Sequence, residues 1–280
     1  MLSYRHSFHA GNAADVLKHT VLIHILQHLK KKEKPFCYVD THAGAGCYSL
    51  KSEHAEKTQE YIQGIGALWQ ANNLVPILDA YVNVIKDFNP QGILNDYPGS
   101  PLIAQHLLRR HDRLFLYELH STDVELLATA IKQDRRVQIH HQDGFKYCLG
   151  LMPPTQRRGL VLIDPSYEVK ADYDQVFDML IQLYKRFATG SFALWYPVVE
   201  RSRIDELEHK IQASQLKNVQ LFELAQQVDS QEYGMTANGM IVINPPWTLK
   251  AEMEQALPYL AKQLGIDNQG SYRIKQLKDE

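Results

Sequence analysis

The chain has 280 residues, 45% of them hydrophobic, and a formal net charge of −2, enough for one large α/β domain or two small ones. That balance excludes a global basic field, so a nucleic-acid partner has to be held by local patches. Lys30–Lys32 with Lys34, Arg109–Arg110 with Arg113, Arg135–Arg136, Arg157–Arg158 and Lys185–Arg186 offer such patches, although each alone reads as a solvated surface. Three cysteines without a C-x-x-C pair fit a reducing compartment, the amino terminus lacks an apolar signal core, and no apolar run approaches membrane-spanning length.

Residues 1–12 concentrate Tyr4, Arg5, His6, His9, Gly11 and Asn12. Leu17, Val21, Leu22, Ile25, Leu26 and Leu29 then recur at helical spacing and predict one apolar helix face, with Asp15, Lys18 and His19 near its start. His24 and His28 stand four apart without a third ligand in a known pattern, so no metal site is read there. The first strand is Pro35–Asp40, followed by Thr41-His-Ala-Gly-Ala-Gly46. Two glycines one apart let backbone approach a ligand closely; the third glycine of the dinucleotide fingerprint is replaced by Ser49. Residues 50–96 interrupt the alternation with helical patterns near 58–70 and 74–88, read as a small helical insertion in a single domain over 1–280. Ser100 before Pro101 reads as an N-cap followed by proline at the first helical position.

The second strand, Arg113–Glu118, ends in an acid of the kind that binds ribose hydroxyls at the second strand of Rossmann-like folds. The third, Val137–His141, leads to Asp143-Gly144, a turn able to contact an adenine edge. The fourth is the aliphatic run Gly159–Ile163, closed by Asp164-Pro-Ser-Tyr167. A strand buried on both faces places Asp164 at the carboxyl edge, where ligands bind in open α/β sheets. The acid and the Pro165 carbonyl can accept both hydrogens of an exocyclic amine, and Tyr167 can stack on the ring face. The plain alternative is a capped turn. Acids after four successive strands (Asp40, Glu118, Asp143 and Asp164) form a pattern more specific than any one of them. A helix at 172–186, a strand at 192–197, a helix at 201–213, strands near 218–225 and 239–244, a helix at 250–264 and a polar tail complete the chain. The loop between the last two strands has no evident helix and predicts an antiparallel hairpin. The whole predicts an α/β, Rossmann-like fold with a seven-stranded, mostly parallel sheet.

The arrangement is similar to class I S-adenosylmethionine-dependent methyltransferases of the amino-adenine type. More closely it resembles the RlmJ family, bacterial enzymes that modify N6 of adenine 2030 in 23S ribosomal RNA. The stretches that carry the resemblance are Ser3-Tyr-Arg-His-Ser-Phe-His-Ala-Gly-Asn12, Asp15-Val-Leu-Lys-His19, Asp40-Thr-His-Ala-Gly-Ala-Gly46, Tyr97-Pro-Gly-Ser100, Trp195-Tyr-Pro-Val198 and Gly239-Met-Ile-Val-Ile-Asn-Pro-Pro-Trp247. The resemblance implies that His19, His42, Ser100, Glu118, Asp143 and Gly144 line the S-adenosylmethionine pocket. It also implies that Asp164 is catalytic and that Tyr4 touches the RNA. Lys18 is added because it neighbours His19 and could meet a phosphate, and Tyr167 because it would hold the base. The implied partner is 23S ribosomal RNA, and the chain is read as a cytoplasmic monomer. Ser166 departs from the family's Asp-Pro-Pro-Tyr: a ring that fixes φ is lost and a backbone N–H appears.

Asn244-Pro-Pro-Trp247 matches the amino-methyltransferase signature better as four residues. Order argues for Asp164, because a pocket built on strands one and four needs its second half at strand four. The rival readings are methylation of DNA adenine or a protein glutamine, a nicotinamide-dependent oxidoreductase drawing on the G-x-G loop and Glu118, and a non-catalytic RNA-binding protein.

Overall fold

The computed structural model describes residues 5–168, 171–230 and 234–280, so Tyr4 lies outside the described residues. Helix Ala13–Lys30 (α1) starts at Asn12, whose side chain accepts from the Asp15 N–H at 3.0 Å. Its apolar stripe is the one expected, but the helix is buried nearly all round, so Asp15, Lys18 and His19 are also out of water. Strand Cys37–Asp40 (β1) follows, buried throughout.

The chain then leaves the main sheet. An antiparallel pair, Cys47–Ser49 (β2) and Asp96–Pro98 (β3), brackets helices Glu53–Thr58 (α2), Ile65–Trp69 (α3) and Pro76–Asp87 (α4). The single helix expected near 58–70 is broken. Gln59 turns left-handed at φ +54°, and a Cβ on Gly64 would lie 2.0 Å from the Gly11 carbonyl oxygen. That close approach fixes the 50–96 segment against the amino-terminal stretch.

The alternation resumes with Ser100–Leu107 (α5), Arg113–Tyr117 (β4), Ser121–Ile131 (α6), Val137–His140 (β5), Gly144–Tyr147 (α7) and Gly159–Ile163 (β6). Asp172–Arg186 (α8), Ser191–Val198 (β7), Arg201–Ala213 (α9), Val219–Ala225 (β8), Ala237–Ile243 (β9), Leu249–Leu264 (α10) and Ser271–Lys278 (β10) complete it. The main sheet runs β10-β8-β9-β7-β6-β1-β4-β5. From β7 to β5 neighbouring strands are parallel, whereas β9 is antiparallel to both β7 and β8. Residues of α1, α4, α5 and α10 cover one face, and those of α8 and α9 the other.

This is the expected Rossmann-like, mostly parallel arrangement, with one correction: among the described residues the sheet has eight strands, not seven. The polar tail supplies the eighth. In β10 the basic side chains Arg273 and Lys275 pair with Glu208 at 2.6 and 2.8 Å, and Arg273 also meets Glu223 at 3.1 Å. Ion pairs there replace the apolar face that would have marked a strand.

Candidate active site

Parallel strands deliver their carboxyl ends to one edge, and a cavity of about 890 Å³ opens there. β6 is buried along its whole length and ends by projecting Asp164 into that cavity. Asp164 Oδ2 lies 2.6 Å from Lys18 Nζ, and the same ammonium lies 2.9 Å from Asp15 Oδ1. Asp15 Oδ2 in turn pairs with His6 Nε2 at 2.9 Å and accepts the Gly11 N–H at 2.8 Å. Lys18 Nζ also lies 5.8 Å from the centroid of the Trp195 ring. Burial alone would lower the Lys18 pKa, but the carboxylates of Asp15 and Asp164 hold it well above the ordinary lysine value. Burial would likewise raise Asp15; the positive groups around it, His6 and Lys18 first, pull it well below the usual carboxylate range. In sequence Lys18 reads as a phosphate contact; the structure instead places its ammonium between two carboxylates. Asp164 Oδ1 has no hydrogen-bond partner among the described residues, which leaves it to accept from a ligand.

The other half of the cavity is built on β1, β4 and β5. Asp40 closes β1 fully buried, accepting from the Tyr38 hydroxyl at 2.8 Å and from the Ser100 hydroxyl. Burial pushes its carboxyl up to about 6, and those hydrogen bonds offset only part of the rise. Ser100 does not cap α5 as its sequence context predicts. Gly99 takes the cap position, and the Ser100 side chain turns to Asp40. Glu118 follows β4 and accepts the Gly44 N–H at 2.7 Å and the His120 N–H at 2.7 Å. It thereby fixes the glycine loop, in which Gly44 sits at φ +62°, a conformation glycine adopts without a Cβ penalty. Asp143 caps α7 by accepting the Phe145 N–H at 3.0 Å. A Cβ on Gly144 would lie 2.0 Å from the Thr41 carbonyl oxygen, so only glycine allows α7 to approach the β1 loop. The His42 ring meets Phe145 edge-on at 4.8 Å, and burial lowers its pKa to about 4.

His19 reaches the cavity from α1. Its Nδ1 lies 2.8 Å from the Tyr97 hydroxyl, which lies 3.0 Å from the Tyr81 hydroxyl. Its Nε2 is buried and has no hydrogen-bond partner among the described residues. Burial lowers the His19 pKa to about 3, so the ring is neutral. Tyr167 donates its hydroxyl to the Trp195 carbonyl at 2.7 Å, and its ring packs 4.7 Å from Tyr173. The chain turns left-handed at Tyr167, φ +54°, which swings that ring toward the sheet.

Asn244 falls elsewhere. Because β9 runs antiparallel to β7, its carboxyl end lies at the opposite sheet edge. There the Asn244 amide donates to the carbonyls of Ala188 and Gly190 at 2.8 and 2.7 Å. Topology thus separates the two look-alike turns. Residue patterns do not mark Asp15, His6 or Trp195 as parts of the site. The available signal is an acid with Lys at i+3 and His at i+4 in the first turns of a helix.

The family described as ribosomal RNA large subunit methyltransferase D, RlmJ, matches residues 33–277. Ribosomal RNA large subunit methyltransferase J of Escherichia coli (strain K12) is 54% identical over 264 residues, 94% of this chain and 94% of that protein. The protein of the same name from Haemophilus influenzae (strain ATCC 51907 / DSM 11121 / KW20 / Rd) is 49% identical over 281 residues, 100% of both chains. The crystal structure of protein LPL1258 from Legionella pneumophila str. Philadelphia 1 is similar with a TM-score of 0.87 at 38% identity, covering 96% of this chain and 98% of that one. With its fold, its strand-end acids and relatives of this likeness along its full length, the chain belongs to the RlmJ family of ribosomal RNA large subunit methyltransferases.

Proposed function

We propose that this protein transfers a methyl group from S-adenosylmethionine to the N6 amine of an adenine in 23S ribosomal RNA. Residues 1–280 form one methyltransferase domain on this reading, with 50–96 as a helical insertion, working in the cytoplasm. The cavity residues fit the cofactor. His19 presents a buried, unpartnered ring nitrogen, Gly144 brings α7 against the β1 loop at the cavity wall, and Glu118 stands beside a glycine loop. His19, His42, Ser100, Glu118, Asp143 and Gly144 would hold it, supported by their common position at the carboxyl edge. The cavity volume is near the upper end of the range for small-molecule sites, enough for the cofactor and one base.

Bound S-adenosylmethionine supplies an activated methyl on a sulfonium, so the leaving group needs no assistance. What the chain supplies is position and electrostatics. The lone pair of an adenine amine is delocalised into the ring and makes it a poor nucleophile. Hydrogen bonds from N6–H to Asp164 Oδ1 and to the Pro165 carbonyl favour a more tetrahedral nitrogen. Lys18, on Oδ2, fixes the orientation of the carboxylate and places a positive charge beside it, which is the role we assign it in place of a phosphate contact. The Asp164 carboxylate stabilises charge developing on the nitrogen and can take its proton. Tyr167 and Trp195 form the aromatic wall beside the turn, and Tyr4 contacts the RNA.

The observation that carries this reading is Asp164 itself: one oxygen is held by a buried ammonium and the other is left open at the end of β6. The test is transfer of labelled methyl to protein-free 23S ribosomal RNA lacking its N6-methyl groups, with duplex DNA and total protein as parallel acceptors. Label recovered from the RNA as N6-methyladenosine is the expected result; label in DNA or protein alone overturns the substrate. Asp164→Ala should abolish transfer while cofactor affinity stays within a few fold.

A further inference from the structure

The five basic clusters are scattered in the sequence but not in space. β1, β4, β5, β6 and β7 are parallel, so the residues just ahead of each strand share the amino edge, opposite the cavity. Lys30–Lys34, Arg109–Arg113, Arg135–Arg136, Arg157–Arg158 and Lys185–Arg186 are those residues. Direct contacts join the first four of them. Arg109 donates to the carbonyls of Lys32 and Lys34 at 2.8 and 3.2 Å, Arg158 donates to the Lys34 carbonyl at 2.8 Å, and Arg136 donates to the Leu108 carbonyl.

Of the acids of this edge, Asp112 pairs with Arg109 at 3.0 Å and Asp134 with Arg136 at 2.6 Å, while Glu33 stands exposed among four lysines. Lys31, Lys32, Lys34, Arg110, Arg135 and Arg157 are exposed, with no ion-pair partner among the described residues. Trp247 stands on the same edge, because Asn244 anchors its turn to the carbonyls ahead of β7. Its ring is 84% exposed behind a diproline, an unusual position for the largest apolar side chain. The opposite edge has the reverse character. Its cavity is lined by Glu60, Glu118, Asp123, Asp143 and Asp164, and the cations there are already paired, Lys18 with Asp15 and Asp164, Arg203 with Glu200 and Arg5 with Asp123.

An acid-lined mouth repels a polyanion, so an enzyme acting on RNA has to draw its affinity from cations elsewhere. We propose that the amino edge is a second RNA-contacting face, distinct from the catalytic mouth. It grips phosphates of an RNA segment remote from the target base, and Trp247 stacks on an unpaired base of that segment. Exposed cations beside an exposed aromatic ring match the two needs of single-stranded RNA, phosphate neutralisation and base stacking. The five-residue depth of β6, about 17 Å at some 3.3 Å per residue, separates the two faces. A ribosomal RNA is large enough to touch both, and a short oligonucleotide at the mouth is not. This inference rests on RNA being the substrate.

The test compares the wild type with two variants, the quadruple Lys31→Gln, Lys32→Gln, Lys34→Gln, Arg157→Gln and the single Trp247→Ala. All five positions are exposed, so the fold should persist, which thermal melting verifies. Affinity is measured by filter binding for protein-free 23S ribosomal RNA and for a short oligonucleotide containing one adenine, over a range of salt. The quadruple variant should bind 23S RNA about tenfold more weakly near 0.15 M salt, with a log–log salt slope smaller by about 3. Its affinity for the oligonucleotide, and transfer to it, should not change. Trp247→Ala should weaken 23S binding several-fold with the salt slope intact. Unchanged affinity and slope for 23S RNA in the quadruple variant would overturn the proposal, and so would equal losses on both RNAs. If the wild type methylates neither RNA, the catalytic reading fails, while the binding comparison still decides the role of the edge.

Discussion

Lys18 and Asp164 form the contact between α1 and the end of β6, with Nζ 2.6 Å from Oδ2 and the lysine only 4% exposed as a residue. Asp15 holds the same ammonium from below at 2.9 Å. An ammonium between two carboxylates in a low dielectric is strongly coupled to both. Removing it leaves two like charges near each other, with only His6 beside Asp15 to compensate. Lys18→Met should therefore lower the single-turnover rate of methyl transfer by about a hundredfold or more. The acid limb of its pH–rate profile should move to higher pH, since the carboxylates of this cluster then hold protons more tightly. Cofactor affinity should stay within a few fold. A profile parallel to wild type at reduced height would contradict the electrostatic role and leave only a packing one.

The Tyr97 hydroxyl bridges His19 Nδ1 at 2.8 Å and Tyr81 at 3.0 Å, all three side chains being buried. Because the ring is neutral, the partner at Nδ1 decides what Nε2 can offer a ligand. Tyr97→Phe removes that partner and strands a second hydroxyl on Tyr81. Each buried polar group left unpaired costs about 1–3 kcal/mol. The variant should lose about 2 kcal/mol in denaturant unfolding, and calorimetric titration with S-adenosylhomocysteine should show affinity reduced several-fold. If binding holds while stability falls, His19 does not depend on Tyr97 for its orientation.

Some of this was legible in residue patterns because local chemistry and final structure agree. The aliphatic run before Asp164 can only be a doubly covered strand, and the apolar spacing over 172–186 and 201–213 marks α8 and α9 at their observed bounds. The acids at 118, 143 and 164 line one cavity, and Asp40 is buried at the same edge, because parallel strands share a carboxyl edge. What was hidden depended on distant partners. β10 satisfies its charges on Glu208 and Glu223, residues of α9 and β8, so no apolar alternation announced it. The break near Gln59 answers a backbone contact between Gly64 and Gly11. Ser100 reads as a cap until Asp40 is known to lie beneath it. The Lys18 pairing follows only once α1 is seen to be buried all round.

Gly144 offers a steric test of the β1–α7 approach. An added methyl would sit 2.0 Å from the Thr41 carbonyl oxygen and 2.8 Å from its Cα, both rigid backbone. Gly144→Ala must push α7 away from the glycine loop, at a cost of about 1–3 kcal/mol for overpacking. The melting temperature should fall and S-adenosylhomocysteine binding should weaken at least tenfold, because Asp143 and Phe145 move with α7. Gly150, which has open space around it, provides the control: Gly150→Ala should change neither.

Titration of the buried groups at the carboxyl edge should be visible in stability. Burial raises the Asp40 carboxyl from 3.8 to about 6. A carboxyl raised on folding contributes stability that is present below its unfolded pKa and lost as pH rises through the folded one. His19 and His42 act in the opposite sense. Lowered from 6.5 to about 3 and about 4, they contribute above pH 6.5 and lose that contribution as pH falls toward the lower values. Wild type should therefore weaken on acidification below pH 6.5, with Asp40 offsetting part of the loss. Asp40→Asn removes the offset. The unfolding free energy of the variant relative to wild type should rise by roughly 2 kcal/mol between pH 4 and pH 7, at about 1.4 kcal/mol for each tenfold change in proton affinity. Chemical denaturation at four or five pH values measures it. A difference that stays constant with pH would show that Asp40 titrates alike in the folded and unfolded chain, and a variant-minus-wild-type difference that falls as pH rises would reverse the sign of its coupling to folding.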